Sequence, residues 1–440
     1  MDSQPTAFDR VPCEILEKIA SSLAPYMDDV RAFSLISTKA VAPARRILFE
    51  DCIASIDEAA HTISAFSDFI QHTDSIQRVM KTLTLRCNSS VGPLGSEITL
   101  DDIADLLSHL PMLSSLALAG FQWKASPLPH PAYTPHEKLA RLSLNYISCT
   151  AINQSPLDLL RFSRMWSTVR IEELYPLAGS ADVRGGPFHL TTLRLSWCPF
   201  ASPSRLGLED TAAVISHVKH LIATDIIDQQ AVTLRQCIDA SAATLEKATL
   251  ELTNFGRVRN LDAWLHIVRG LKECPNIRTV VLSIPVKPRW LIQSHRGHSR
   301  GLHVEALFKL CRHLPETVQY LKVHFEVDDA VSDYNAKHTV HRILTYDLLR
   351  NHLSIKPSLV CLHFDIHYVD DRRPAWTDAE VREVDDAFKF LHHKTGTSFV
   401  RNNSRIDEHR AGSVTLGEVK YYRSEAHIEG MEKLWQTKYL

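Results

Sequence analysis

The sequence predicts a mixed α/β chain, a short all-helical start followed by a long run of stacked helix-strand repeats. Three observations predict it. A six-residue template, apolar-x-x-apolar-x-apolar, recurs along the middle 300 or so residues. Helical spacing and a proline often precede it, and the first fifty residues show only helical spacing. With 440 residues, 45% apolar and 23% charged, the chain has the composition of a folded protein and can bury a large core. Its length exceeds the usual ceiling for one globular core, which suits either about three domains or one extended repeat array.

The start is read first. Behind Val11 and Pro12, the residues Ile15, Leu16, Ile19 and Leu23 form an apolar helical stripe, with proline where a first helical turn tolerates it. Pro25 ends that helix. Asp28 and Asp29 favour a new start through capping and the helix dipole, and Val30, Phe33 and Ile36 restore the apolar face. A third helix is expected through Ala44, Ile47 and Leu48. A unit this small has little core of its own and is expected to lean on its surroundings.

The repeats follow. Clear templates are Met80/Leu83/Leu85, Leu113/Leu116/Leu118, Leu139/Leu142/Leu144, Leu190/Leu193/Leu195, Ile277/Val280/Leu282, Val318/Leu321/Val323 and Leu359/Leu362/Phe364. Weaker ones are Trp166/Val169/Ile171, Val218/Leu221 with Ala223 on the polar side, and Leu245/Ala248/Leu250. The middle anchors step by 24 to 33 residues and finally twice by 41. Their last two apolar positions alternate as a strand does. Helices are expected at Ile103/Leu106/Leu107/Leu110 and Val304/Leu307/Phe308/Cys311. Leu110-Pro111, Cys274-Pro275, Leu314-Pro315 and Lys356-Pro357 stop helices, since proline cannot extend the ladder and pushes its predecessor toward extended backbone. The rival architecture is an all-helical array.

Two resemblances follow from these residues. Val11-Pro12-Cys13-Glu14-Ile15-Leu16-Glu17-Lys18-Ile19, with Phe33-Ser34-Leu35-Ile36-Ser37 and Ala44-Arg45-Arg46-Ile47-Leu48-Phe49, resembles an F-box, in the F-box-like form common in fungal proteins. Where that family often has a tryptophan, this chain has Ala40 and Val41. The templates over residues 76–366 resemble the leucine-rich repeat, although at its Asn/Cys ladder position only Asn88 and Cys198 fit, the others being Phe121, Ile147 and Pro285. The fold class implied is an F-box-like three-helix module over 9–55, an irregular leucine-rich-repeat-like right-handed α/β solenoid over 60–370, and a capping segment over 371–440.

The F-box resemblance implies docking on a Skp-family adaptor, and through it a cullin, by Val11, Pro12, Ile15, Leu16, Ile19, Leu35 and Ile36. It implies a substrate receptor of a Skp-cullin-F-box ubiquitin ligase. The other reading is a non-catalytic leucine-rich-repeat scaffold or inhibitor whose helical start only caps the repeats. At strand x positions of five consecutive repeats stand Arg141, Arg170, Arg194, Lys219 and Lys247. Strands about 4.8 Å apart would bring these side chains together as a basic stripe for an acidic or phosphorylated segment of a protein substrate.

In the C-terminal segment Thr377 and Glu380 have capping-box spacing, Trp376 and Val381 fit the accompanying staple, and Val381, Val384, Phe388 and Leu391 form a stripe. Residues 398–422 suit a hairpin or a loose segment, and Ile428, Met431 and Leu434 a closing helix.

Other classes are disfavoured. A formal net charge of -2 lacks the basic excess of a nucleic-acid binder or membrane-surface protein. No apolar run reaches the roughly 18 residues of a membrane span, and the start is polar and acidic, so a cytoplasmic or nuclear chain is expected. That expectation discounts the glycosylation sequons at Asn88, Asn153 and Asn402. The nine cysteines are scattered without a C-x-x-C pair, which suits reduced, buried thiols. Common nucleophile, nucleotide and zinc-protease signatures are missing, and no catalysis, cofactor or metal is expected. Among 23 histidines, His295/His298/His303 and His392/His393 lack supporting ligands. Asp28/Asp29, Asp101/Asp102 and Asp370/Asp371 are read as helix-start or turn residues, and Arg296 to Gly301 as a solvated basic loop.

Overall fold

In the computed structural model the described residues are 11–57, 62–87, 96–126, 135–149, 156–175, 189–196, 216–224, 231–251, 258–286, 302–327, 340–354 except 342, 343 and 346, 356–368, 377–388, 393–399 and 416–422. The chain is mixed α/β with mostly parallel strands, and it divides into two compact units. One is formed mainly by Met1–Leu193 and the other mainly by Ile215–Leu440.

The first unit opens with three helices, α1 (Cys13–Leu23), α2 (Met27–Ser34) and α3 (Thr38–Glu50). Pro12 starts α1, and its carbonyl accepts from the backbone N–H groups of Ile15 and Leu16 at 3.1 and 3.2 Å. Asp28 and Asp29 lie in the first turn of α2, where the helix dipole favours them, but neither caps it. Ser37 caps α3, its hydroxyl accepting from Ala40 N–H at 3.3 Å. Leu16, Ala20, Val30, Phe33, Ala40 and Ala44 form the core of this triplet, and Val11, Ile19, Leu23, Ile47 and Leu48 pack at its margin.

At Asp51 the chain leaves α3 directly into β1 (Asp51–Ile56), a strand the spacing rules did not mark. Beside it, in parallel, run β2 (Thr82–Cys87), β4 (Ser115–Ala119), β6 (Arg141–Cys149) and β7 (Met165–Tyr175). Their middle anchors fall in one register, Cys52 to Leu83, Leu83 to Leu116, Leu116 to Leu142 and Leu142 to Val169. These leucines and Val169 are buried, as are Leu85, Leu118, Leu144 and Ile171. The alternate positions are at most half-buried, so the sheet buries a single face. Helices α4 (Ile63–Gln71), α5 (Asp74–Gln77) and α6 (Leu100–Ser108) and a 3-10 helix (Pro156–Phe162) return the chain and bury Ile70, Ile76, Ile103, Leu106 and Leu159.

A local device extends this core beyond the template. Gly120 has φ 81° and Tyr146 φ 52°, both in the left-handed region. Each residue shifts the in-out alternation by one, so that Phe121 and Trp123 follow Leu118 inward, and Ile147 and Cys149 follow Leu144. Short strands β3 (Glu97–Ile98) and β5 (Gln122–Trp123) pair there in parallel, β5 also with β6. Glycine is favoured at 120, because φ 81° strains any L side chain and an added Cβ would lie a tight 3.3 Å from the Cys87 carbonyl oxygen. Phe121 and Ile147 thus fill the expected ladder position with buried apolar side chains; Asn88 and Cys198 lie outside the described residues.

In the second unit β9 (His220–Thr224), β10 (Lys247–Glu251), β11 (Thr279–Val286), β12 (Tyr320–Val327) and β13 (Cys361–Tyr368) are parallel. Leu221, Ala248, Val280, Leu321 and Leu362 are again successive register partners, and all are buried. Ala223, expected on the polar side, is buried as well. Intervening helices span Ala231–Ala240, Val258–Leu271, Leu302–His313 and Asp347–Ser354. The last three stop just ahead of Pro275, Pro315 and Pro357, and α6 likewise ahead of Pro111, as the proline rule requires. These strands exclude the all-helical array. Buried Lys356 donates from Nζ to the Leu314 carbonyl at 2.9 Å, giving a partner to an acceptor just past a helix end.

Beyond β13, Thr377 and Glu380 form the expected capping box at the start of helix Asp378–Ala387, which buries Val384 and Phe388. β14 (His393–Phe399) and β15 (Leu416–Tyr422) pair as an antiparallel hairpin, and β15 runs antiparallel to β13. Trp376, Leu391, Ile428, Met431 and Leu434 lie outside the described residues.

Candidate interaction surfaces

The seven predicted adaptor residues divide between two environments. Leu16 is 0% exposed, and Val11 and Ile19 pack against the same core, so these three hold the triplet together. Pro12, Ile15, Leu35 and Ile36 face solvent, Leu35 with 86% of its surface exposed. Tyr26 and Met27, at the α1–α2 junction, are exposed too. Spacing rules missed both, because neither continues an apolar stripe. Single exposed apolar residues are ordinary, and here five large ones stand on a triplet under forty residues long.

The five basic positions are divided between the two units, and within each unit their register differs. Arg141 is the register partner of Thr168, while Arg170 partners Ser143, so the two stand diagonally across β6 and β7. Arg170 donates from Nε to Glu172 Oε1 at 2.7 Å, and its Nη2 reaches the same oxygen. Lys219 precedes β9 and pairs with Glu246 at 2.9 Å. Lys247 partners His220, one position on, so alternation separates it from Lys219. Arg194 is half-buried in β8 (His189–Ser196), and its Nε atom is buried without a hydrogen-bond partner among the described residues. Glu172 and Glu246 therefore neutralise two of the five cations; Arg141 and Arg170 are diagonal neighbours on one face, whereas register puts Lys219 and Lys247 on opposite sides.

A polar cluster that spacing did not reveal lies on β12 and β13. Register sets Lys322 beside His363 and His324 beside Asp365. Asp365 Oδ2 accepts from Lys322 Nζ at 2.7 Å and from His324 Nδ1 at 3.1 Å. Burial alone would raise this carboxyl, but the two hydrogen bonds and the lysine charge outweigh it and hold the group well below the usual carboxylate range. A carboxylate tied in this way is a poor proton acceptor. Tyr320 Oη and His363 Nδ1 share a hydrogen bond of 2.6 Å, both side chains being buried. The only sequence signal was the dense run of His, Lys, Tyr and Asp at alternate strand positions.

Among the described residues no group of three or more His, Cys, Asp or Glu is arranged to hold a metal ion, and no helix is long and apolar enough to cross a membrane. His295, His298 and His392 and the loop from Arg296 to Gly301 lie outside the described residues, as do Asp370 and Asp371. Asp102 serves the capping box of α6, its carboxylate accepting from Thr99 N–H at 2.8 Å. Burial pushes the thiols of Cys237, Cys274 and Cys311 up to about 12, so they stay protonated and inert at neutral pH.

No protein-family model matches the chain, and no curated protein does.

Proposed function

We propose that this chain is the substrate-recognition subunit of a Skp-cullin-F-box ubiquitin ligase. Its N-terminal triplet, as an F-box-like module, docks on the Skp-family adaptor, and its registered strands, as a leucine-rich-repeat-like solenoid, hold a protein substrate. The observation that carries this reading is the division of the triplet's apolar residues. Leu16, Val30 and Phe33 satisfy its own core, leaving Ile15, Leu35, Ile36, Tyr26 and Met27 directed outward. A helical cap that served only the repeats would have no use for that second set. The mechanism is effective concentration: a receptor that holds substrate beside the ligase's transfer machinery raises the rate without chemistry of its own.

The test is co-purification of the full-length chain with a Skp-family adaptor. Wild type should retain the adaptor, and Ile15→Asp or Leu35→Asp, each placing a charge on the outward set, should lose it while remaining folded by circular dichroism. Failure of wild type to retain any adaptor, or retention by both variants, overturns the reading.

A further inference from the structure

Within the first unit, the sheet face opposite the buried anchors has a chemistry of its own. Thr84, Ala117 and Ser143 are successive register partners across β2, β4 and β6, with Thr82 and Ser115 on one side of that row and Ala119 on the other. All six side chains are small, and all are only half-buried. Both faces of a parallel sheet are ordinarily covered, and small side chains let another backbone lie close against this one.

Two exposed arginines bracket the shelf. Arg86 is in register with Ala119 and hence Asn145, whereas Arg141 lies four residues earlier on β6. Two strand spacings and four residues of rise put their Cα atoms about 16 Å apart, a span of about five residues of extended chain. Among the described residues neither arginine is in an ion pair, unlike Arg170 with Glu172 and Lys81 with Glu50. The one other acid on these rows is Asp51, at the far edge on β1, three strands from Arg141. Tyr146 stands 55% exposed beside Asn145 in a backbone conformation that costs a non-glycine residue free energy, a kind of strain that concentrates at functional sites.

We infer that this face binds an extended, carboxylate-rich segment of a protein partner, with Arg86 and Arg141 each pairing a carboxylate and the small row between them seating the backbone. Charge complementarity selects the occupant: two uncompensated guanidiniums bordering hydroxyl-bearing side chains suit spaced carboxylates, and a basic segment would be repelled. Calling that segment a substrate rests on the receptor reading; the binding itself does not.

The experiment uses the purified full-length chain alone and fluorescence anisotropy with a fluorescein-labelled peptide of alternating Glu and Ser, compared with alternating Gln and Ser. The Glu peptide should bind, the Gln peptide should bind at least about tenfold more weakly, and Arg86→Glu and Arg141→Glu should each weaken the Glu peptide about tenfold. Arg46→Glu, an exposed reversal on α3, should leave it within about twofold. Equal binding of the two peptides, equal loss from Arg46→Glu and Arg141→Glu, or binding only when the serines are phosphorylated would overturn the inference. No adaptor is present, so this outcome is independent of adaptor capture.

Discussion

Truncating Leu35 and Leu16 to alanine should have opposite consequences, though the two leucines belong to one helical triplet. Leu16 is fully buried against Ala20, Val30 and Phe33, so Leu16→Ala removes its transfer free energy and leaves a cavity, at a cost of about 2–5 kcal/mol. Leu35 keeps 86% of its surface in solvent, so Leu35→Ala should change stability by less than about 0.5 kcal/mol. The same exposure makes most of its apolar surface available to a partner. Burying a leucine is worth about 1.5–3 kcal/mol, which is roughly a ten- to 150-fold change in Kd. Urea unfolding followed by amide exchange in α1–α3 measures the first quantity, and titration of the adaptor by calorimetry the second. Equal destabilisation by the two truncations would refute the assignment of inward and outward faces. An adaptor Kd within about twofold of wild type for Leu35→Ala would refute the docking role.

Other outcomes follow from single features. Gly120→Ala should lower unfolding free energy by about 1–2 kcal/mol, since alanine at φ 81° is strained and its Cβ crowds the Cys87 carbonyl; a thermal melt matching wild type would contradict this. Of the described cysteines, exposed Cys13 should react first with a disulfide reagent at neutral pH, while Cys237, Cys274 and Cys311 react only after unfolding, as labelling with peptide mapping would read. Because the Asp365 carboxyl is held below its unfolded value, its stabilisation is present above about pH 4 and is lost as pH falls further. Asp365→Asn should therefore be less stable than wild type at pH 7 by about 1–3 kcal/mol. That gap should narrow in urea titrations as pH falls below about 4; a gap unchanged with pH would refute the ion-pair account.

The template anchors were legible because alternation is local. Leu83, Leu116, Leu142 and Val169 were identified one by one from spacing, and they are register partners in space. β1 was missed because Cys52, Ala54 and Ile56 carry too little apolar contrast to mark a strand, and its pairing with β2 depends on where α3 delivers the chain. The parity shift at Tyr146 was also missed, since a tyrosine at positive φ has no sequence signature, whereas Gly120 at least permits one. The basic stripe assumed that every x position is equivalent, and a one-residue offset on a strand reverses the face.

By itself the sequence determined the helical start, the proline stops, the capping box at Thr377 and the repeated inward leucines, because backbone propensity and side-chain periodicity act over a few residues. Only the tertiary structure decided that Leu16 faces in while Leu35 faces out, that Glu172 takes up Arg170, and that Arg86 and Arg141, on either side of a shelf of small residues, have no ion pair among the described residues. Those outcomes depend on which surfaces meet and on strand register, and both are set by contacts between residues far apart in the chain.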